Sequence, residues 1–192
     1  MIGRFGITIF LNLLFGLIFR NAGAKDDSNE GYFYDHFGAL TMVTISSMFG
    51  AAQPTLLAFP SQRPIFLREY STGTYSIMPY FISKVCFEVP LAFAQSLVQW
   101  LVVYWLIGFK GNFVLLLLAS WGLGLASASV AVLLGCAVAD VKTATELMPV
   151  LLVPQMLFAG FFVSTDQIPE YLRWAQYLCS LKYAMNILSI IG

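Results

Sequence analysis

Charged residues fall along this chain in clusters, and the intervals between them are long and apolar. No Asp, Glu, Lys or Arg occurs at residues 5–19, 36–62, 89–109, 111–139 or 147–165. Most of these intervals approach or exceed the roughly 20 residues that cross a bilayer as a helix, so the pattern predicts about five transmembrane helices. The first, 5–19, is short, and Ala22-Gly23-Ala24 after it has the small-residue character of a signal-peptidase site. A short span and a cleaved signal both fit, although Gly6, Asn12 and Gly16 suit a packed helix better than a continuous signal core. A hydrophilic loop over 21–36 then carries Tyr32, Phe33 and Tyr34 in the manner of an interfacial aromatic belt.

The second span covers about 37–59. Thr41, Thr44, Met48, Ala51 and Thr55 recur at steps of three and four and share one helix face. That face suits close helix packing, or the wall of a path less greasy than lipid. Pro60 and Pro64 are expected to interrupt the helix, since each lacks an N–H and restricts the residue before it. Between them and the turn Ser71-Thr72-Gly73-Thr74, the run Arg63 to Tyr70 is short and amphipathic and fits a helix lying on the membrane surface. An interfacial loop with snorkelling arginines accounts for the same residues.

The third span, 80–107, brings Lys84 and Glu88 four residues apart, placed to form an ion pair near the interface, with Pro90 expected to kink the helix beyond them. The short turn 108–112, carrying Lys110, makes the third and fourth spans antiparallel neighbours. The fourth, 113–137, holds two small-residue ladders, Ser120/Gly124/Ala128 and Ser127/Ala131/Gly135, as a helix buried among others would. Asp140 to Thr143 forms a polar hairpin, and Glu146 opens a fifth span expected to bend or unwind at Pro149 and Pro154. Residues 164–192, with Tyr171, Trp174 and Tyr177, read as a short interfacial or re-entrant helix rather than a full span.

Composition agrees with the pattern. Of 192 residues, 59% are hydrophobic and 10% charged, against about 25% charged in an average soluble domain. The fold class is therefore all-α, a polytopic helical membrane protein. His36 is the single histidine, so an H-E-x-x-H zinc site is excluded, and no lysine follows a glycine as in a phosphate-binding G-K-[ST] loop. Cys86, Cys136 and Cys179 lie far apart and form no C-x-x-C. A net charge of zero argues against nucleic acid as a partner. Charge does not set the orientation: Arg4, Arg63, Arg68, Lys84 and Lys142 on one side balance Arg20, Lys25, Lys110, Arg173 and Lys182 on the other.

Two regions carry a family pattern. Gln62-Arg63-Pro64-Ile65-Phe66-Leu67-Arg68-Glu69-Tyr70-Ser71-Thr72-Gly73-Thr74-Tyr75 is followed by Glu88-Val89-Pro90; near the C-terminus come Gly160-Phe161-Phe162, Ile168-Pro169, Trp174, Tyr177, Ser180 and Tyr183-Ala184. In order and spacing this resembles the transmembrane domain of ATP-binding cassette transporters of the G subfamily, the white/pleiotropic-drug-resistance type, whose first motif looks like E-R-x-x-F-x-R-E-x-x-x-G-x-Y. Gln62 stands where that family has glutamate and brings no charge for a salt bridge there.

The resemblance implies that the N-terminus and residues 60–79 face the cytoplasm and residues 166–178 the outer side. It makes the segment around 65–70 a coupling helix that docks on a nucleotide-binding domain, with Arg63, Phe66, Arg68, Glu69, Gly73 and Tyr75 at the joint. It implies a second transmembrane domain, as homo- or heterodimer, and a hydrophobic substrate held between second and fifth spans. In this chain those walls would be Thr44, Met48 and Thr55 facing Met148, Leu152 and Met156. ATP and magnesium are implied for the nucleotide-binding domain, and no cofactor, metal or catalytic residue for this chain. Residues 1–192 are expected to be one such membrane domain in truncated form, lacking a sixth span and the nucleotide-binding domain.

The leading expectation is thus the multi-pass, membrane-spanning part of an exporter of lipid-like or amphipathic molecules in the plasma membrane or an internal one. A polytopic scaffold or gene remnant without transport is the alternative. An intramembrane hydrolase or acyltransferase is weak, because one histidine and few intramembrane carboxylates leave little for acid–base work.

Overall fold

The computed structural model describes residues 2–19, 30–73, 76–109, 111–138, 140–158 and 179–191. Those residues form six α-helices and no strand: α1 (Ile2–Ile18), α2 (Glu30–Ser71), α3 (Ile77–Val103), α4 (Phe113–Ala137), α5 (Val141–Phe158) and α6 (Ser180–Ile191). The segments 37–71, 77–108 and 113–137 are long and apolar enough to cross a membrane, and α1 contributes a shorter apolar helix. The Ala22-Gly23-Ala24 segment, Lys110 and residues 164–178 of the expected interfacial or re-entrant helix over 164–192 lie outside the described residues, while its last part forms α6, with Leu181, Ala184, Met185 and Leu188 buried.

The expected break at Pro60 and Pro64 does not occur. α2 runs for 42 residues through Pro54, Pro60 and Pro64, a length of about 63 Å at 1.5 Å per residue. Each proline removes one donor, and packed neighbours can re-satisfy or shield the carbonyls so freed. Here α3 and α4 brace the helix past the prolines: the Phe66 and Tyr80 rings lie 4.5 Å apart, Lys84 Nζ donates to Gln62 Oε1, and Gly135 brings α4 against Phe59 and the Leu56 carbonyl. Tertiary contact overrides the local preference of proline, so residues 63–70 extend α2 rather than form a separate surface helix. The stop comes at Gly73, whose φ of 70° suits glycine. Its N–H donates to Tyr70 O at 3.0 Å, and the Ser71 and Thr72 hydroxyls donate to Arg68 O and Glu69 O at 2.8 Å each.

α3 passes Pro90 as unbroken helix and ends in a wider turn over Tyr104–Gly108, where Gly108 takes φ 80°. Asn112 opens α4 by accepting from the Val114 N–H at 3.2 Å. The two helices are antiparallel neighbours, as the short turn requires, with Tyr104 edge-on to Phe113 at 5.4 Å and Phe93 edge-on to Trp121 at 5.5 Å. Both small-residue ladders of α4 are buried. They give it the widest contact of any helix pair, against α2, with the position of a Cβ on Gly124 only 3.6 Å from Ala51 Cβ. α5 begins at Val141, earlier than Glu146, and stays helical through Pro149 and Pro154 without the expected unwinding.

Two apolar clusters fill the interior. One joins Met48, Ala52 and Leu56 of α2 to Leu123 and Ala131 of α4, Met148 and Leu152 of α5, and Leu181, Ala184 and Met185 of α6. The other joins Leu40 and Val43 to Trp100 and Val103 of α3, Ile107 of the turn that follows it, Leu116 of α4 and Leu188 of α6. Asn12, Thr44, Gln95, Gln99 and Ser120 are buried, whereas Phe10, Leu17, Trp105, Leu133 and Val150 are exposed. Polar side chains buried among the apolar clusters, with large apolar ones on the outside, are the arrangement a bilayer solvent requires.

Candidate coupling end, polar interior and path

At the far end of α2 the helix repeat puts Arg63, Phe66 and Tyr70 along one stripe. Phe66 stacks on Tyr70 at 5.9 Å and packs at a tilt against Tyr80, which fixes the end of α2 to the start of α3. Arg63 and Phe66 line an apolar pocket of about 240 Å³ closed by Phe59, Leu67, Ile77, Tyr80, Phe81, Gly135 and Cys136. Arg68 is exposed and Glu69 half-buried. Of the sequence-predicted joint residues, Arg63, Phe66, Arg68, Glu69 and Gly73 therefore occupy the last turns of one rigid helix and its stop; Tyr75 lies outside the described residues.

One turn deeper, Lys84 and Glu88 face α2 side by side. The structure gives each a partner on α2: Lys84 donates to Gln62 and lies 5.5 Å from the Tyr80 ring centre, and Glu88 Oε1 accepts from Thr55 Oγ1 at 3.0 Å. Thr55 Oγ1 is also 2.9 Å from Ala51 O, so its one proton is shared between the two acceptors. With Ala58, Phe59, Phe81, Val85 and Val132 these groups surround a cavity of about 130 Å³. The anticipated pair thus acts as a two-point clasp between helices. Where the family-like motif has glutamate, Gln62 supplies a neutral carbonyl to the ammonium.

Nearer the middle is a run of buried polar contacts that the sequence pattern did not single out. Gln95 Nε2 donates to Thr8 Oγ1 at 3.2 Å and Gln99 Nε2 to Val43 O at 2.8 Å. Trp100 Nε1 donates to Ser120 Oγ at 2.6 Å, and Ser120 Oγ in turn to Leu117 O at 3.0 Å. These bonds tie α3 to α1, α2 and α4. The available signal was Gln95, Ser96 and Gln99 on one face of the charge-free stretch of α3 beyond Glu88.

Of the proposed path residues, Met48, Met148, Leu152 and Met156 meet in one apolar cluster, whereas Thr55 borders the cavity beside Glu88. Thr44 is buried and donates to Leu40 O at 2.7 Å; Met48 has 0% exposure and shares a cluster with Met148 and Leu152, with Met156 at its edge. Cys179, outside the long apolar helices, anchors the start of α6 by donating from Sγ to Gln155 O at 3.0 Å. Burial pushes its thiol up from the ordinary value, opposed by backbone N–H bonds from Lys182 and Leu181 and by the Lys182 charge.

Comparison with known proteins agrees with this architecture. The family model described as ABC-2 type transporter matches residues 1–191. ABC transporter G family member 1 of Dictyostelium discoideum is 26% identical over 93% of this chain and 23% of its own length. Protein white of Drosophila melanogaster is 29% identical over 92% of this chain and 26% of its own. ABC transporter G family member 8 of Arabidopsis thaliana is 29% identical over 95% of this chain and 31% of its own. The chain spans less than a third of each of these relatives.

Proposed function

Because the chain belongs to the ABC-2 type transporter family, we propose that it is the membrane-spanning part of an ATP-driven exporter of lipid-like or amphipathic molecules. On this reading a nucleotide-binding domain, on the same or a separate polypeptide, binds ATP and magnesium and closes on a second such domain. A second copy of the membrane domain, or a related one, completes the path. The membrane is multi-spanned, with the end of α2 on the cytoplasmic side.

The observation that carries this reading is the continuity of α2. At about 63 Å the helix exceeds the roughly 40–45 Å of a bilayer with its headgroups. It joins Thr44 and Met48 to Arg68 and Glu69 without a joint. A push on Arg68 and Glu69 is therefore delivered to the Met48 region as movement of one rigid body, which is what alternating access needs. The methionines at Met48, Met148 and Met156 can reshape around ligands of varied outline once α5 moves off α2. Glu69→Ala in the complete transporter is expected to reduce substrate-stimulated ATP hydrolysis while membrane insertion stays intact. Undiminished stimulation would remove Glu69 from the joint.

A further inference from the structure

The apolar pocket at the end of α2 does not belong to the path between α2 and α5. Its walls come from α2 (Phe59, Arg63, Phe66, Leu67), the first turns of α3 (Ile77, Tyr80, Phe81) and the last turn of α4 (Gly135, Cys136). Leu67, Ile77 and Phe81 are each about half exposed or more, at 53%, 57% and 49%, so the pocket opens sideways toward the surroundings of the bundle. Its polar wall is a cation: Arg63 is exposed, and among the described residues no carboxylate bonds to it. Lys84, the next cation inward, is engaged with Gln62, and Glu69 lies further along α2, near Tyr80.

A guanidinium beside a greasy slot near the charged end of α2 matches one chemical class. We infer that this pocket binds an anionic phospholipid from the adjoining leaflet, its phosphate paired with Arg63 and part of an acyl chain laid against Phe66, Leu67, Ile77 and Phe81. Charge complementarity selects the occupant: a zwitterionic lipid fills the apolar slot equally well but brings no net charge to Arg63, whereas a juxtamembrane arginine attracts anionic lipid. The chain stem of Arg63 spans the apolar wall while its head stays at the headgroup level. A lipid seated there touches α2, α3 and α4 together, so it would stiffen the same helix end proposed to meet the nucleotide-binding domain.

Cys136 lines the pocket and is exposed, and Cys86, also exposed, lies outside it. The full chain in detergent, titrated with phosphatidylglycerol or phosphatidylcholine of identical acyl chains, gives bound-lipid counts by native mass spectrometry. Alkylation by N-ethylmaleimide reports the site, with Cys86 as internal reference. Phosphatidylglycerol is expected to bind more tightly by about fivefold, the preference one basic residue near the surface provides, and to slow Cys136 but not Cys86. Arg63→Gln, at an exposed position, is expected to fold, checked by helical circular dichroism, and to erase the preference. Leu67→Trp, which fills the slot, is expected to lose protection of Cys136. Equal retention of the two lipids, or an undiminished preference in Arg63→Gln, overturns the proposal. Protection of Cys136 by inorganic phosphate alone overturns it as well, since the site would then read a free anion. Protection by neither lipid overturns it in favour of a protein surface covering the slot.

Discussion

Glycine and glutamine at single positions decide how closely the helices approach. A Cβ on Gly135 would sit 2.8 Å from Phe59 Cβ and 3.4 Å from the Leu56 carbonyl, both too near the backbone to move cheaply, whereas a Cβ on Gly122 of the same helix meets nothing within 4 Å. Gly135→Ala is therefore expected to lower stability by about 1–3 kcal/mol. Gly122→Ala should be neutral or stabilising by up to about 1 kcal/mol. Thermal unfolding of both variants in the same detergent checks the contrast. At Gln62, the Glu variant restores a carboxylate opposite Lys84 and is expected to add up to about 1 kcal/mol, while Gln62→Leu strands the ammonium and should cost about 1–3 kcal/mol.

Cys179 gives a pH signature. Its thiol is held protonated by burial, so the folded chain binds a proton that the unfolded one releases above the ordinary thiol value. Its contribution to stability is present below that value and is lost as pH rises through the raised one. Alkylation of native protein should accordingly lag at Cys179 behind Cys86 and Cys136, which are exposed, and the lag should vanish on unfolding. That Lys84 and Glu88 share a face was readable from their spacing of four. Their partners were not, because Gln62 and Thr55 are chosen by the tertiary register of α2 against α3.

The helices as units show where local rules succeed and where packing replaces them. The limits of α4 coincide with the predicted 113–137, since its ends are set by a turn glycine, an Asn cap and the polar break at Asp140, all local signals. α2 differs because the consequence of Pro60 and Pro64 depends on neighbours that no local pattern reveals. Spin labels at exposed Met42 and Leu67, with the three native cysteines replaced, test this directly. An unbroken helix places their backbones about 37 Å apart, and electron–electron distance measurement should give one narrow population near that value. A broad or much shorter distribution would restore the break at Pro60. The buried glutamines of α3 escaped the pattern for a related reason. On the charge-free stretch of α3 beyond Glu88, polar residues mark an inner face, but their partners Thr8 and Val43 lie on other elements.

For the whole molecule, the inventory of apolar helices was legible and their arrangement was not. Small residues on two faces of α4 signalled burial on both sides, yet nothing in them named α2 as the principal neighbour. The walls proposed for a path illustrate the same limit: spacing placed Thr44, Met48 and Thr55 on one face, and the structure then closes that face against other helices, with Met48 fully buried. A path at this place therefore demands relative motion of α2 and α5. A short bifunctional thiol cross-linker bridging cysteines introduced at Met48 and Met148 should abolish substrate transport in the complete transporter while ATP binding persists. Continued transport with the cross-link intact would move the path elsewhere.

The twelve residues of α6 touch both apolar clusters, Leu181, Ala184 and Met185 in one and Leu188 in the other. The consequence is one of timing. During synthesis, α2, α3 and α4 emerge first and can pair, yet each of their clusters stays open on one side until the residues after Ser180 leave the ribosome. Until then the flanks of Met48 and Leu40 face lipid or a chaperone. Assembly of this bundle thus has a late checkpoint, and substitutions at Leu181 or Leu188 should show themselves less as altered chemistry than as protein cleared before it matures.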